Sequence, residues 1–279
     1  MSRVELSNED RDRYHARMMN KLPDGLAFKE NMKLCGKPRL TSDNKFKCRK
    51  VGCPKCRYSY ISREQKNAIN RYEHASAFDM ALLTINLGIV AETDAIWDRW
   101  VADRKKMRYA IRALAQRRTP WLHLSMTAYL DVFPFAYEEV TSLGVKQKEY
   151  IASVGLPASD HIRPYWMYHL HALVHHPRLD WQAVRDGLAN HFSAPHQVHV
   201  EPLYRDELKG DNISSVIAYA NKYQPVSLIK GCERDWSSEW MADYFYSCEC
   251  FSDSYKSIRM QINGKILPVA LGDLLREDK

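Results

Sequence analysis

Tyr165-Trp166-Met167-Tyr168-His169-Leu170-His171-Ala172-Leu173-Val174 is a run of aromatic, aliphatic and histidine side chains that stops at His175-His176-Pro177. It reads as a strand. Successive side chains of a strand leave on opposite faces, so His169 and His171 project together while Leu170 and Ala172 enter the core. Working outward, Ala81 to Leu87, closed by Gly88, is a short apolar run that reads as a buried strand. Leu122 to Val132 is a further strand candidate, and Gln197 to Leu203 is strand-like. Between them lie helical patterns. The longest starts at Thr93 or Asp94 and runs to about Arg118, with apolar positions at Trp97, Trp100, Val101, Met107, Ile111 and Leu114 and a stop at Pro120. Trp181 to Phe192 and Ile213 to Tyr223, the latter stopped by Pro225, read as two more. Residues 8–22 are a polar helix, residues 60–75 another, and 136–160 mixes helix with Gly- and Ser-bearing loop. The order strand, helix, strand, strand, helix, strand, helix predicts an α+β fold, with a central, mostly antiparallel sheet flanked by helices.

The composition sets the outer bounds. A chain of 279 residues, 45% hydrophobic, with only 11 Gly and 12 Pro, is neither a disordered tail, a collagen-like rod nor a minimal stapled scaffold. One catalytic-sized domain with a small appendage fits best. The greasiest stretch, Phe78 to Ala91, is interrupted by Asp79, Thr84 and Asn86 and does not read as a membrane span. The opening Met-Ser-Arg-Val-Glu leads into a densely charged segment without an apolar core, which predicts a cytoplasmic protein. Seven cysteines, an odd number, then argue for thiols or metal ligands over a disulfide framework.

The net charge of +7 is unevenly spread. Residues 1–75 carry 18 basic and 9 acidic side chains, and residues 99–118 carry 8 and 1. Concentrated positive charge in an otherwise acidic chain suits a polyanion such as a nucleic-acid backbone. Arg104, Lys105, Lys106 and Arg108 are the candidate DNA-binding residues; the alternative is the solvated face of an ordinary helix.

Three local patterns carry chemistry. His169 and His171, side by side on a strand, suit a divalent metal with a third ligand from a neighbouring strand, or else form a structural or solvent-facing pair. Tyr219-Ala220-Asn221-Lys222-Tyr223 places two phenols one helical turn apart. Both rings can be packing aromatics, but Lys222 between them can hold a phosphate and favour a phenolate. Cys35, Cys48, Cys53 and Cys56 include a Cys-Pro-Lys-Cys knuckle in a segment with little else to fold it, which predicts a structural Zn²⁺; a redox pair or reactive thiols are the alternatives. Cys232, Cys248 and Cys250 lack such spacing and read as packing or exposed thiols.

These three patterns, in this order from Cys35 to Tyr223, resemble the HUH-type replication initiators of rolling-circle plasmids and single-stranded DNA phages. Val51-Gly52-Cys53-Pro54-Lys55-Cys56-Arg57 is similar to the cysteine cluster of the plasmid type, and Leu82-Leu83-Thr84-Ile85 to the first family strand. His169-Leu170-His171 is similar to the His-hydrophobic-His metal motif, and Tyr219 to Tyr223 to the Tyr-x-x-Lys-Tyr nucleophile motif. Many plasmid initiators place Glu where this chain has Tyr219, so it resembles the two-tyrosine phage version joined to a plasmid-type cysteine cluster. The family often supplies its third metal ligand from a Glu-x-Thr in the strand before the histidines. Ser125 stands in that place here, which leaves His123 and Asp131 as candidates.

The resemblance implies an HUH endonuclease palm of RRM/ferredoxin-like type over residues 76–235. Before it would come a helical arm, 1–32, and a zinc-binding module with its linking helix, 33–75; a C-terminal extension, 236–279, would follow. It implies Mg²⁺ or Mn²⁺ on His169 and His171 and single-stranded or hairpin origin DNA as substrate. Tyr223 would be the attacking nucleophile, Tyr219 the terminating one, and Lys222 the phosphate holder. A host helicase and DNA polymerase would be the partners. The alternatives are a two-tyrosine rolling-circle transposase and a non-catalytic, zinc-bearing DNA-binding regulator.

Overall fold

The computed structural model describes residues 8–39, 42–50, 52–159, 163–203, 209–221, 226–229, 232–251 and 257–264. In chain order, the polar N-terminal pattern forms α1 (Asn8–Lys21), followed by α2 (Ala27–Leu34) and a small antiparallel hairpin of β1 (Pro38–Arg39) and β2 (Ser42–Lys45). Then comes α3 (Pro54–Arg71), which begins inside the cysteine-rich segment, six residues before the expected start at residue 60. The reason is local. Cys53 is the N-cap and Pro54 takes the first turn, where a missing N–H costs nothing and a fixed φ suits the helix.

The central elements follow as β3 (Met80–Val90), α4 (Asp94–Arg117), β4 (Ser125–Phe135), α5 (Val145–Val154), β5 (Tyr165–His175), α6 (Trp181–Ala189), β6 (Val198–Pro202) and α7 (Lys209–Ala220). A hairpin of β7 (Val226–Ile229) and β8 (Cys232–Asp235), then α8 (Ser238–Phe251) and β9 (Arg259–Ile262), complete the described chain. Five strands make one antiparallel sheet in the order β6-β3-β5-β4-β9, so the fold is α+β with helices flanking the sheet. Its edge strand β9 comes from residues that the sequence assigned to a C-terminal extension.

Two strand boundaries moved, and one residue changed face, for physical reasons. β3 does not close at Gly88; it runs on to Val90 through a bulge between Asn86 and Gly88. A Cβ at Gly88 would stand 2.9 Å from the Tyr168 hydroxyl, so the glycine admits the neighbouring strand's tyrosine. β4 starts at Ser125 because Pro120 opens a 3-10 turn over Thr119–His123. Val101, counted with the apolar stripe of α4, is exposed, whereas Trp97, Trp100, Met107 and Ile111 are buried.

Strand alternation sorts the sheet into two faces. Leu83, Ile85, Met126, Ala128, Leu170, Ala172 and Val174 are buried on one, which α4 and α6 cover. From this side Tyr168 donates to Asp103 of α4 at 3.1 Å. The other face carries Thr84, Asn86, Tyr129, Asp131, His169 and His171, with α3 and α7 packed across part of it. Among the described residues, no helix is long and apolar enough to cross a membrane.

Candidate active site

Register brings the candidate site together. In the β4–β5 pairing Asp131 lies directly opposite His169, and Tyr129 opposite His171. Directly opposite residues share a face and hold their side chains within contact distance. Oδ2 of Asp131 is 3.0 Å from His169 Nε2 and 3.4 Å from His171 Nε2. The two imidazoles meet edge to face, with centroids 4.7 Å apart. On the other side of β5, Thr84 pairs with His171, and its hydroxyl is hydrogen-bonded to His171 Nδ1 at 2.9 Å. That bond occupies Nδ1 and leaves Nε2 as the nitrogen turned toward Asp131.

One carboxylate and two imidazoles, each with a ligand atom within 4.8 Å of the others, form a group that could hold a divalent cation. The separations fit: donors about 2.1 Å from an octahedral ion and at right angles to one another are about 3 Å apart. Burial works against the charged Asp131 carboxyl, but hydrogen bonds from His169 and His171 outweigh it and hold the group well below the usual carboxylate range. Asp131 and His169 retain 17% and 14% of their side-chain exposure, so the group opens to solvent at one side, whereas His171 is buried.

Of the two side chains considered as third ligand, Asp131 is the one at the histidines. His123 lies buried in the 3-10 turn ahead of β4, and Ser125 pairs with His175, four residues from His171.

Tyr219, in the last turn of α7, reaches this group, with its ring centroid 4.9 Å from that of His171. Burial, and then the charges of Asp131 and Glu201, push its hydroxyl above the ordinary phenol range. Lys222 and Tyr223 lie outside the described residues.

The four cysteines form the second candidate metal group. Sγ of Cys35 is 3.5 Å from that of Cys56 and 3.6 Å from that of Cys53, and Cys48 is 3.7 Å from Cys56. Four thiolates around a tetrahedral Zn²⁺ with Zn–S near 2.3 Å stand about 3.8 Å apart, so this donor set fits structural zinc. Arg49, at φ 57, turns the chain so that its N–H donates to Cys56 Sγ at 3.2 Å. A Cβ on the knuckle glycine, Gly52, would fall 2.1 Å from the Phe245 ring, which stacks on Phe28 at 4.6 Å.

The basic stretch of α4 is on the far side of the sheet from the histidines. Lys105 and Arg108 are exposed; Arg104 is half-buried over the Trp100 ring at 5.5 Å, and Lys106 lies over Phe192 at 4.5 Å. Three further residues have a part in the site that sequence alone does not assign them. Thr84 orients His171, and its strand was read without its pairing partner. Glu64, buried on α3, accepts from the Tyr129 hydroxyl at 2.9 Å and faces Arg259 Nε at 3.1 Å. Arg57 donates from Nε to the Asn221 carbonyl at 3.0 Å. Comparison with protein-family models, curated proteins and solved structures finds no match.

Proposed function

We propose that this protein is a rolling-circle replication initiator that nicks single-stranded origin DNA through a 5′-phosphotyrosine link and later rejoins the strand. The observation that carries the reading is the approach of Tyr219 to the Asp131–His169–His171 group. A phenol beside two imidazoles and a carboxylate that share one possible ion site is the equipment of phosphodiester transfer. The order of the cysteine, histidine and tyrosine motifs along the chain supports the same reading.

Asp131, His169 and His171 would hold a Mg²⁺ or Mn²⁺, whose chemistry is Lewis-acid polarisation of a phosphate oxygen. Thr84 keeps His171 Nε2 turned to the group. The phenol of Tyr223 gives up its proton to solvent as its oxygen attacks phosphorus; the bond from phosphorus to the 3′ oxygen breaks, and the departing oxygen takes a proton from solvent to become a 3′-hydroxyl. The phosphodiester energy is kept in the tyrosine ester, and a 3′-hydroxyl attacking that ester reverses the step. Tyr219 performs the second transfer that ends a round. Its raised pKa is set partly by the Asp131 charge, a contribution that cation binding at Asp131 opposes. Lys222 holds the phosphate, and the 3′-hydroxyl is handed to a host polymerase behind a helicase.

The test uses single-stranded oligonucleotides tiling the DNA around the protein's own gene, with Mn²⁺, and looks for a covalent protein–DNA band. Wild type should give the band, His169→Ala and Asp131→Asn should lose it, and Tyr223→Phe should lose it while Tyr219→Phe keeps it. Binding to the same DNA without any adduct at any metal concentration would leave a zinc-bearing regulator as the better reading.

A further inference from the structure

Helix α3 carries Cys53 at its N-cap, Cys56 in its first turn and, at the next position, a buried arginine. Arg57 is 5% exposed, and its Nε donates to the main-chain carbonyl of Asn221 at 3.0 Å. Asn221 directly follows α7 and is itself buried; its Nδ2 donates back to the Ile217 carbonyl at 2.9 Å. The last carbonyls of a helix have no partner within the helix and form the negative end of its dipole. A guanidinium delivered there supplies both a donor and the opposite charge. Farther along α3, Gln65 Nε2 donates to the Ser214 carbonyl at 3.0 Å, so α3 grips α7 at two points as the helices run in opposite directions. Tyr219 sits between those two points, against His171.

The thiol cluster fixes the first turn of α3 from the other side. Cys35 and Cys48 come from outside the helix and meet Cys53 and Cys56 at its start. Lys50 pairs with Glu249 of α8 at 3.3 Å, and Gly52 is closed in by Phe28 and Phe245. The route from cluster to phenol is therefore short: Cys56, Arg57, the Asn221 carbonyl, and Tyr219 two residues back.

We propose that Arg57 is a positioning residue through which the cysteine cluster aims the tyrosine-bearing end of α7 at the Asp131–His169–His171 group. The proposal rests on the phosphotyrosine reading for its catalytic consequence, though not for its structural one. An arginine that merely fills space would lower global stability and leave the relation between the two sites alone. An arginine that positions α7 changes the order of one helix end and the rate of attack, with metal affinity unmoved.

The experiment compares full-length, zinc-loaded wild type with Arg57→Gln and Arg57→Lys, together with wild type stripped of zinc by a chelator. Hydrogen exchange should speed up by about tenfold in peptides covering residues 212–221 of Arg57→Gln, with residues 165–175 unchanged. Zinc removal should give the same local pattern, and Arg57→Lys, which keeps a cation, should recover part of the protection. Mn²⁺ affinity, read by calorimetry without DNA, should stay within about twofold, because the three ligands are held by β4 and β5. At saturating DNA and Mn²⁺ the rate of the second transfer, the step given to Tyr219, should fall about 10- to 100-fold in Arg57→Gln, the cost of a misplacement near 1 Å. Unchanged exchange at 212–221, or a loosening spread equally over α7 and β5, overturns the proposal. If Arg57→Gln cannot be purified folded, Arg57→Lys and zinc removal decide by the same exchange criterion. Local loosening in a protein whose wild type forms no adduct upholds the α7 anchor and removes the nuclease reading alone.

Discussion

The hydroxyl of Thr84 selects which nitrogen of His171 turns toward Asp131, because it binds the other one at 2.9 Å. Thr84→Val keeps the shape and removes the hydrogen bond. It should weaken Mn²⁺ binding by about tenfold, the usual effect of losing a partner behind a metal ligand, and Thr84→Ser should not. Asp131→Asn should weaken it more; calorimetry on all three variants checks the order. The histidine pair was legible from a period of two. Its carboxylate partner was not, because His123 and Asp131 both have the parity of the site face, and parity does not tell where β4 begins. The turn that Pro120 starts took His123 out of the strand, and pairing with His169 brought Asp131 in. The thiols outside the cluster differ as sharply. Burial pushes Cys248 up to about 12, while Cys250 is exposed. A thiol at 12 has almost no thiolate at pH 8, so Cys250→Ser should remove one fast-reacting group from a native thiol titration and Cys248→Ser none.

Among the elements, α3 departs most from what its sequence suggested. Its residues from Pro54 to Arg71 lack a clean apolar stripe, since the face toward the sheet is made of Arg57, Tyr60 and Glu64. Those groups are tolerated inside only because specific partners meet them: Asn221 for Arg57, and Tyr129 and Arg259 for Glu64. Hydrophobic periodicity has no sight of such a face, whereas it located β3, β5 and α4 well, whose inner sides are aliphatic and aromatic. The partnership also ties β9 to the domain. Arg259→Ala would take the nearer of two cations from the buried Glu64 carboxylate, leaving Arg63 Nε at 4.0 Å, and should cost less than the ~3 kcal/mol of a fully orphaned buried charge but well above the scatter of a surface substitution. Arg259→Ala combined with Glu64→Gln should recover much of that loss. Urea denaturation of the two variants against wild type measures the difference, and equal losses would mean that Glu64 does not depend on Arg259.

For the molecule as a whole, the sheet separates two chemistries. The carboxylate, the histidines and Tyr219 occupy one face, and the exposed cations of α4 lie beyond the other. A DNA strand held by α4 and cut at the histidines would have to pass around the sheet, so affinity and cutting should be separable. Lys105→Ala with Arg108→Ala should reduce the salt slope of DNA binding by about 0.7–0.9 for each phosphate no longer neutralised, with the adduct rate at saturating DNA unchanged. Arg104→Ala should instead lower stability, since that side chain covers Trp100. An unchanged slope in the double variant would assign the α4 face to some task other than holding DNA. The register of β5 has a further consequence, this one for assembly. Thr84 and His171 are 87 positions apart, and β5 inserts between two strands that both precede it in the chain. A slip of one residue would turn both histidines into the core and break the trio with Asp131. If the trio holds an ion, it would therefore act as a checksum on the pairing: slipped chains would offer a cation nothing to bind, correctly paired chains would, and by mass action an ion in the growth medium would draw the folding population toward the correct register.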